Sequence, residues 1–279
     1  MRTVFIGAGS MAEAMISGSI ANGALSHTDI YVTNRSDSAR LEQLKEQYQI
    51  HIGYDLEEMF KASQVIVLAM KPKDAKRALE QVQPYLSSSS LIISLLAGVT
   101  IDFIEREIDT PCAVIRAMPN TSAAVGKSAT AIALNSQVTN EQKTEALALF
   151  SSIGLTKVVQ EEQLDAVTGL SGSGPAYIYY VAEAMEKAAE ALGLEKEVAK
   201  PLIIQTLLGA AEMLSVTDGK AEQLRKAVTS PGGTTEAGIG LLEERKVKEA
   251  LTDCILEAAA QSKRLGLPYQ QSAKQKCEL

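Results

Sequence analysis

The chain has 279 residues, 46% of them hydrophobic and 22% charged, a balance ordinary for a globular protein that excludes a disordered or collagen-like chain. Its formal net charge is −7, with the basic residues scattered along the sequence, so the basic stripe of a nucleic-acid binder is missing. At this length two hydrophobic cores are expected, because single cores stop growing near about 250–300 residues.

Met1-Arg2-Thr3 runs straight into Val4-Phe5-Ile6, so no signal peptide is expected ahead of the first strand. Short β-branched runs at 3–6, 30–33, 65–69, 91–95, 113–116, 129–134 and 156–159 are mostly separated by helical patterns. That alternation predicts a mainly parallel, doubly wound sheet. The continuously apolar Val65-Ile66-Val67-Leu68 belongs in its interior, since such strands are covered on both faces. After about residue 160, Ala, Leu, Glu and Lys take over at helical spacing, in 177–192, 198–215, 221–228 and 247–265. The stretch 201–214 is apolar nearly all round and must be covered on every side. A domain of roughly 120 residues rarely manages that alone, so this helix is expected in a homodimer interface. It is also too short to cross a bilayer, which takes about 20 residues. Cys112, Cys254 and Cys277 stand far apart with no CxxC, which points to free thiols in a reducing, cytoplasmic compartment. No pair of His or Cys has ligand spacing, and no metal site is expected.

The segment Val4-Phe5-Ile6-Gly7-Ala8-Gly9-Ser10-Met11-Ala12 reads as a strand, then G-x-G-x-x-A, then a helix from Met11 to about Ala21. Gly7 would make the tight turn, Gly9 would let a pyrophosphate approach the backbone, and Ala12 would allow close helix–strand packing. Ser10 and Met11 open the helix, whose amides and dipole suit a diphosphate. The fold class expected is therefore α/β, an N-terminal doubly wound Rossmann sheet over residues 1–159 followed by an all-helical dimerisation and substrate domain over 160–279.

An acid at the end of the second strand would hydrogen-bond the ribose of NAD, but here Asn34-Arg35-Ser36 stand instead. An arginine with a hydroxyl suits a 2′-phosphate, so NADPH is the expected cofactor and NADH the alternative. The competing reading of Arg35 is a solvated loop residue. Three further loops should follow strand ends on the ligand side: Ala69-Met70-Lys71-Pro72, Ala97-Gly98 and Met118-Pro119-Asn120. Lys71 is read as lining the nicotinamide ribose, against a plain surface charge.

Only His27 and His51 occur, both ahead of the helical half, so no histidine base is available there for an alcohol dehydrogenase. Lys187 and Lys200 are the lysines that a rival hydroxyacid dehydrogenase would need, and neither lies in a glycine-rich loop. Two such loops do occur. Gly169-Leu-Ser-Gly-Ser-Gly-Pro-Ala-Tyr177 reads equally as a linker and helix start. Val228-Thr-Ser-Pro-Gly-Gly-Thr-Thr-Glu236 opens a helix whose first amides would hold a carboxylate, with ordinary threonine capping as the alternative. A carboxylate nest beside a hydroxyl, without a strong base, suits reduction of a C=N bond.

These blocks, together with Asp165-Ala-Val-Thr-Gly169, resemble the pyrroline-5-carboxylate reductases over essentially the whole chain. The resemblance implies NAD(P)H-dependent reduction of 1-pyrroline-5-carboxylate to L-proline, in a homodimer that is sometimes assembled further. It implies Thr235 as hydrogen-bond partner of the imine nitrogen, and Ser230, Gly232, Gly233 and Thr234 around the substrate carboxylate. Lys71 and Ala97 would line the nicotinamide end, and Glu161 would help to close the site. Leu56 and Ala227 depart from asparagines found in some relatives, and Thr234 from an alanine.

Overall fold

The structure, a computed structural model, describes residues 2–61 and 63–271. It separates into two compact units: residues up to Pro175 together with those from 256 onward, and Ala176–Ile255 between them. In chain order the first unit contains β1 (Thr3–Ile6), α1 (Ser10–Ala21), β2 (Ile30–Thr33), α2 (Ser38–Tyr48), β3 (His51–Ile52), α3 (Leu56–Phe60) and β4 (Val65–Leu68). There follow α4 (Ala75–Val82), β5 (Leu91–Ser94), α5 (Ile101–Glu107), β6 (Ala113–Met118), β7 (Ser128–Leu134), α6 (Asn140–Ser152), β8 (Gly154–Val158) and the short α7 (Leu164–Val167).

The strands form one sheet in the order β3-β2-β1-β4-β5-β6-β7-β8. Every neighbouring pair is parallel except β6 and β7. The link between those two, residues 119–127, is too short for a crossover, which takes about a dozen residues or more. The antiparallel step is therefore dictated by loop length. Along β1 and β4 the side chains alternate between two cores: Phe5, Val65 and Val67 join Met15, Ile16, Leu44 and Phe150 on one face. Val4, Ile66 and Leu68 join Leu79, Phe103 and Ile104 on the other. Period-two alternation between two buried faces is why these strands are apolar throughout.

The sequence places these strands well but misses β3, whose two residues show no alternation. It also ends β6 two residues early. In α1, Gly18 is required by packing, because a Cβ there would run into the Ala123 carbonyl oxygen and come within 2.9 Å of Ile153 Cγ2.

The remaining helices are α8 (Gly174–Ala191), α9 (Lys196–Val216), α10 (Ala221–Ala227), α11 (Thr234–Glu244) and α12 (Val247–Gln271). The sequence pattern predicts the last helix to end at Leu265, yet α12 runs on through Gly266 and Pro268. Tertiary contact explains the extension. Gly98, at φ +77°, and Gly266 meet backbone to backbone, so that a Cβ on Gly98 would lie 2.7 Å from the Gly266 nitrogen. Arg106 donates to the Tyr269 carbonyl at 3.0 Å, and Phe103 meets the Tyr269 ring edge-on. The end of α12 is thus part of the sheet unit's core.

The described residues of the second unit bury little of their own apolar surface: a small cluster of Ala189, Ala199 and Ile203. On α9, Leu202 is 58% exposed, Leu208 59% and Met213 51%. Among the described residues, no helix is long and apolar enough to cross a membrane.

Cys112 is buried and Cys254 exposed, both unpaired, while Cys277 lies outside the described residues. Burial, aided by the charge of Glu105, pushes the Cys112 thiol up to about 11. Thiolate is the reactive form, so at pH 8 an alkylating reagent should leave Cys112 unmodified in the folded protein and label it after unfolding. Peptide mass spectrometry reads the difference, and rapid native labelling would contradict the placement.

Candidate active site

The turn after β1 is set by close backbone approach. Gly7 has φ +117°, and a Cβ there would lie 2.5 Å from the Ala69 carbonyl carbon and 2.6 Å from the Met70 nitrogen. The Gly7 amide donates to the Thr33 carbonyl at 2.8 Å. The turn is thereby pinned between the ends of β2 and β4. Gly9 is the residue preceding α1, and no side chain caps this helix start. A Cβ on Gly9 would meet nothing within 4 Å, so the first-turn amides of α1 open onto free space, as a diphosphate site requires. Arg40 of α2 clamps the turn from outside, its Nε donating to the Ala8 carbonyl at 3.0 Å while its guanidinium pairs with Glu13.

A cavity of about 680 Å³ adjoins this turn, within the range of small-molecule and cofactor sites. Gly7, Gly9, Ser10 and Met11 form one part of its lining, Asn34 and Arg35 another, and Ala69, Met70 and Lys71 a third. These are nine of the eleven residues expected at the dinucleotide. Ser36 and Ala97 are not in the lining: Ser36 is exposed in the loop after β2, and Ala97 is half-buried beside Gly98. Asn34 acts chiefly as a loop former. Its side-chain nitrogen donates to the Asp37 carbonyl at 2.6 Å, and its oxygen accepts from the Asp37 amide at 2.8 Å and the Tyr54 hydroxyl at 3.1 Å.

Sequence reasoning missed Tyr54, Lys73, Asp74 and Arg77, which also line the cavity. Lys73 and Arg77 stand four residues apart, one helical turn, and that spacing was the available signal. Leu56 lines the cavity too and adds an apolar surface to it. With Arg35 and Lys71, the wall carries four cations against the one carboxylate of Asp74. Residues and space fit an anionic dinucleotide.

Glu161 occupies a different place. Its Oε1 accepts from the Ile101 amide at 2.8 Å, at the start of α5, and from Arg116 Nη1 at 3.0 Å. Arg116, on β6, is 3% exposed. Its Nη2 lies 3.8 Å from Asp165 Oδ1, an ion pair without a hydrogen bond. Asp165 Oδ1 accepts instead from Ser262 of α12 at 2.6 Å. Beside this network, Asn120 donates its side-chain amide to the Ser171 carbonyl at 3.0 Å. Ser171 lies in a π turn over Thr168–Gly172, so the Met118-Pro-Asn block and the Ser-Gly-Ser-Gly block are joined by a hydrogen bond.

In the second unit, Gly232 at φ +71° and Gly233 lead into α11, whose first residues are Thr234 and Thr235. No side chain caps this helix start. The Gly233 amide donates to the Ser230 carbonyl at 3.0 Å, and the Gly232 amide to Glu236 Oε2 at 2.7 Å. The Gly232 amide is thus taken up by a carboxylate of the same turn. Ser230, Thr234 and Thr235 are exposed.

Known proteins resolve the family. A family model described as pyrroline-5-carboxylate reductase dimerisation matches residues 161–265, and one described as coenzyme F420-dependent NADP oxidoreductase matches 2–98. Pyrroline-5-carboxylate reductase 2 of Bacillus subtilis (strain 168) is 48% identical over 258 residues, 92% of each chain. The chain belongs to the pyrroline-5-carboxylate reductase family. Pyrroline-5-carboxylate reductase 1 of the same organism is 43% identical over 98% of this chain and 92% of its own. Among solved structures, a pyrroline-5-carboxylate reductase from Coxiella burnetii superposes with a TM-score of 0.82 at 41% identity, covering 95% of this chain and 98% of that one. A Plasmodium falciparum pyrroline carboxylate reductase with NADP bound gives a TM-score of 0.88 at 29% identity, with the same coverage. Within this family the chain is an NAD(P)H-dependent oxidoreductase acting on an imine, and residues 161–265 match the family's dimerisation domain.

The Glu161 contacts generate a prediction. Removing one partner of a buried ion pair costs about 3–5 kcal/mol, and the Glu161 side chain is 25% exposed, which tempers the loss. Glu161→Gln is expected to lower unfolding free energy in urea by roughly 2–3 kcal/mol. Unchanged stability with a raised KM for substrate would instead assign Glu161 to substrate contact.

Proposed function

We propose that this chain transfers hydride from NADPH to the imine carbon of 1-pyrroline-5-carboxylate, giving L-proline in the last step of proline biosynthesis, with NADH as the second-choice donor. The observation that carries the reading is the cavity beside the glycine turn, with uncapped helix amides and a cationic wall, in a chain of this family. Gly7, Gly9, Ser10 and Met11 take the diphosphate, and Arg35 with Ser36 the 2′-phosphate. Ala69, Met70, Lys71 and Ala97 serve the nicotinamide end. NADPH bound there supplies the hydride.

The substrate carboxylate is held by Ser230, Gly232, Gly233 and Thr234. Glu236 already uses the Gly232 amide, and the substrate carboxylate takes that donor in its place. Thr235, in the first turn of α11, hydrogen-bonds the imine nitrogen, which gains a proton from the Thr235 hydroxyl or from a water as the carbon gains hydride. Glu161 acts indirectly, by fixing the start of α5 next to the 97–100 loop. The apolar exposure of α9 supports a homodimer, and dimers of this kind can assemble further. The unpaired Cys112 and Cys254 suit the cytoplasm.

The test is direct. Purified protein mixed with pyrroline-5-carboxylate should oxidise NADPH and, more slowly, NADH, with proline appearing in step; no proline from either cofactor would overturn the assignment. Thr235→Ala should lower kcat by about 100-fold, the low end for a positioned proton donor, with NADPH affinity kept. Unchanged kcat would remove Thr235 from the mechanism.

A further inference from the structure

The end of β2 is the usual place where a Rossmann domain chooses between the two nicotinamide dinucleotides, yet in this chain the start of α4 also brings charged groups to the cavity. Lys73 and Arg77 line the cavity, and neither has an ion-pair partner among the described residues. Asp74 lies between them, immediately before α4, and its side chain does not cap that helix. Instead its Oδ1 stands 3.9 Å from Arg35 Nη1. The arginine expected at a 2′-phosphate thus lies near a carboxylate at the start of α4.

Resting on the cofactor reading given above, we propose that Arg77 and Lys73 complete the 2′-phosphate subsite with Arg35, and that Asp74 sets the preference between the two cofactors by competing for Arg35. The physical argument is one of relative strength. An exposed ion pair at 3.9 Å is a weak contact, whereas a phosphate near −2 in charge takes short, charge-assisted hydrogen bonds from guanidinium groups. A 2′-phosphorylated ligand draws Arg35 off Asp74 and engages Arg77 as well. A ligand with a bare 2′-hydroxyl offers no such charge. Arg35 then stays with Asp74, and the carboxylate accepts from the ribose hydroxyl, the part that an acid at the end of β2 plays in NAD-binding domains. Asp74 thus supplies from α4 the acid that Asn34-Arg35-Ser36 lacks, which lets one cavity take both cofactors.

Calorimetry on the full chain with 2′-phospho-ADP-ribose and with ADP-ribose tests this without turnover. Arg77→Gln should weaken the phosphorylated ligand by about tenfold, as loss of one charge-assisted hydrogen bond implies, and leave ADP-ribose within about twofold. Lys73→Gln should act in the same direction. Asp74→Asn should tighten 2′-phospho-ADP-ribose and weaken ADP-ribose. Retained ADP-ribose binding in the Arg77 variant shows that it is folded. Equal effects of Arg77→Gln on both ligands, or none on either, would overturn the proposal while leaving the cofactor site standing. Failure of the unmodified protein to bind either ligand would overturn the cofactor reading itself, and this inference with it.

Discussion

The approach of the Gly7 backbone to the end of β4 is the constraint from which the sheet unit's site follows. A side chain at that point would sit 2.5 Å from the Ala69 carbonyl carbon, far inside any van der Waals contact, so the turn exists only because the residue is glycine. Once the turn is pinned, the direction of α1 is determined. At its far end Gly18 lets the same helix lie directly on the Thr121–Val125 turn. Two glycines, one at each end of α1, therefore place its uncapped start where an anion can reach it, and Arg40 holds the intervening Ala8 carbonyl in place. The site is built mostly of backbone, which is why so few of its side chains have to be special.

Arg116 makes a different kind of constraint. Desolvating a guanidinium costs several kcal/mol, and the attraction of its partners recovers this only when geometry is good. Here Nη1 is well bonded to Glu161, but Nε and Nη2 have no hydrogen-bond partner. The arrangement is not optimised for stability. Its consequence is positional: one side chain on β6 joins the start of α5 through Glu161 and faces Asp165, which in turn holds Ser262 of α12. The Gly98–Gly266 contact brings α12 to the loop after β5 as well. Segments far apart in sequence are thus fastened around the 97–100 loop, at the end of the sheet where the nicotinamide end is expected.

How much of this was legible in the sequence depends on whether the signal was local. The strands β1, β2, β4 and β5, the glycine turn and the start of α1 could all be read, because apolar runs and glycine spacing are set by neighbours in the chain. The two-residue β3, the continuation of α12 past Gly266 and the network on Arg116 could not. Each depends on contacts between segments about 20 residues apart or more, and Arg116 in particular sits in an otherwise apolar strand with nothing nearby to suggest its partners. Glu161 shows the same limit from the other side. Family resemblance pointed to it, but its two partners, Ile101 and Arg116, are visible only in three dimensions.

The chain is acidic overall, while the lining of the cavity beside the glycine turn is basic. The chain carries −7 overall, yet among the residues lining the cavity Arg35, Lys71, Lys73 and Arg77 outnumber the one carboxylate, Asp74. A concave, low-dielectric surface focuses such a field, and beyond about 8 Å at physiological ionic strength the remaining charges are largely screened. Local placement therefore outweighs the total. The α11 turn reaches the same end without any cation, since its Gly232 amide already holds a carboxylate. A basic wall suits a ligand carrying several phosphates, and backbone amides suffice for a single carboxylate.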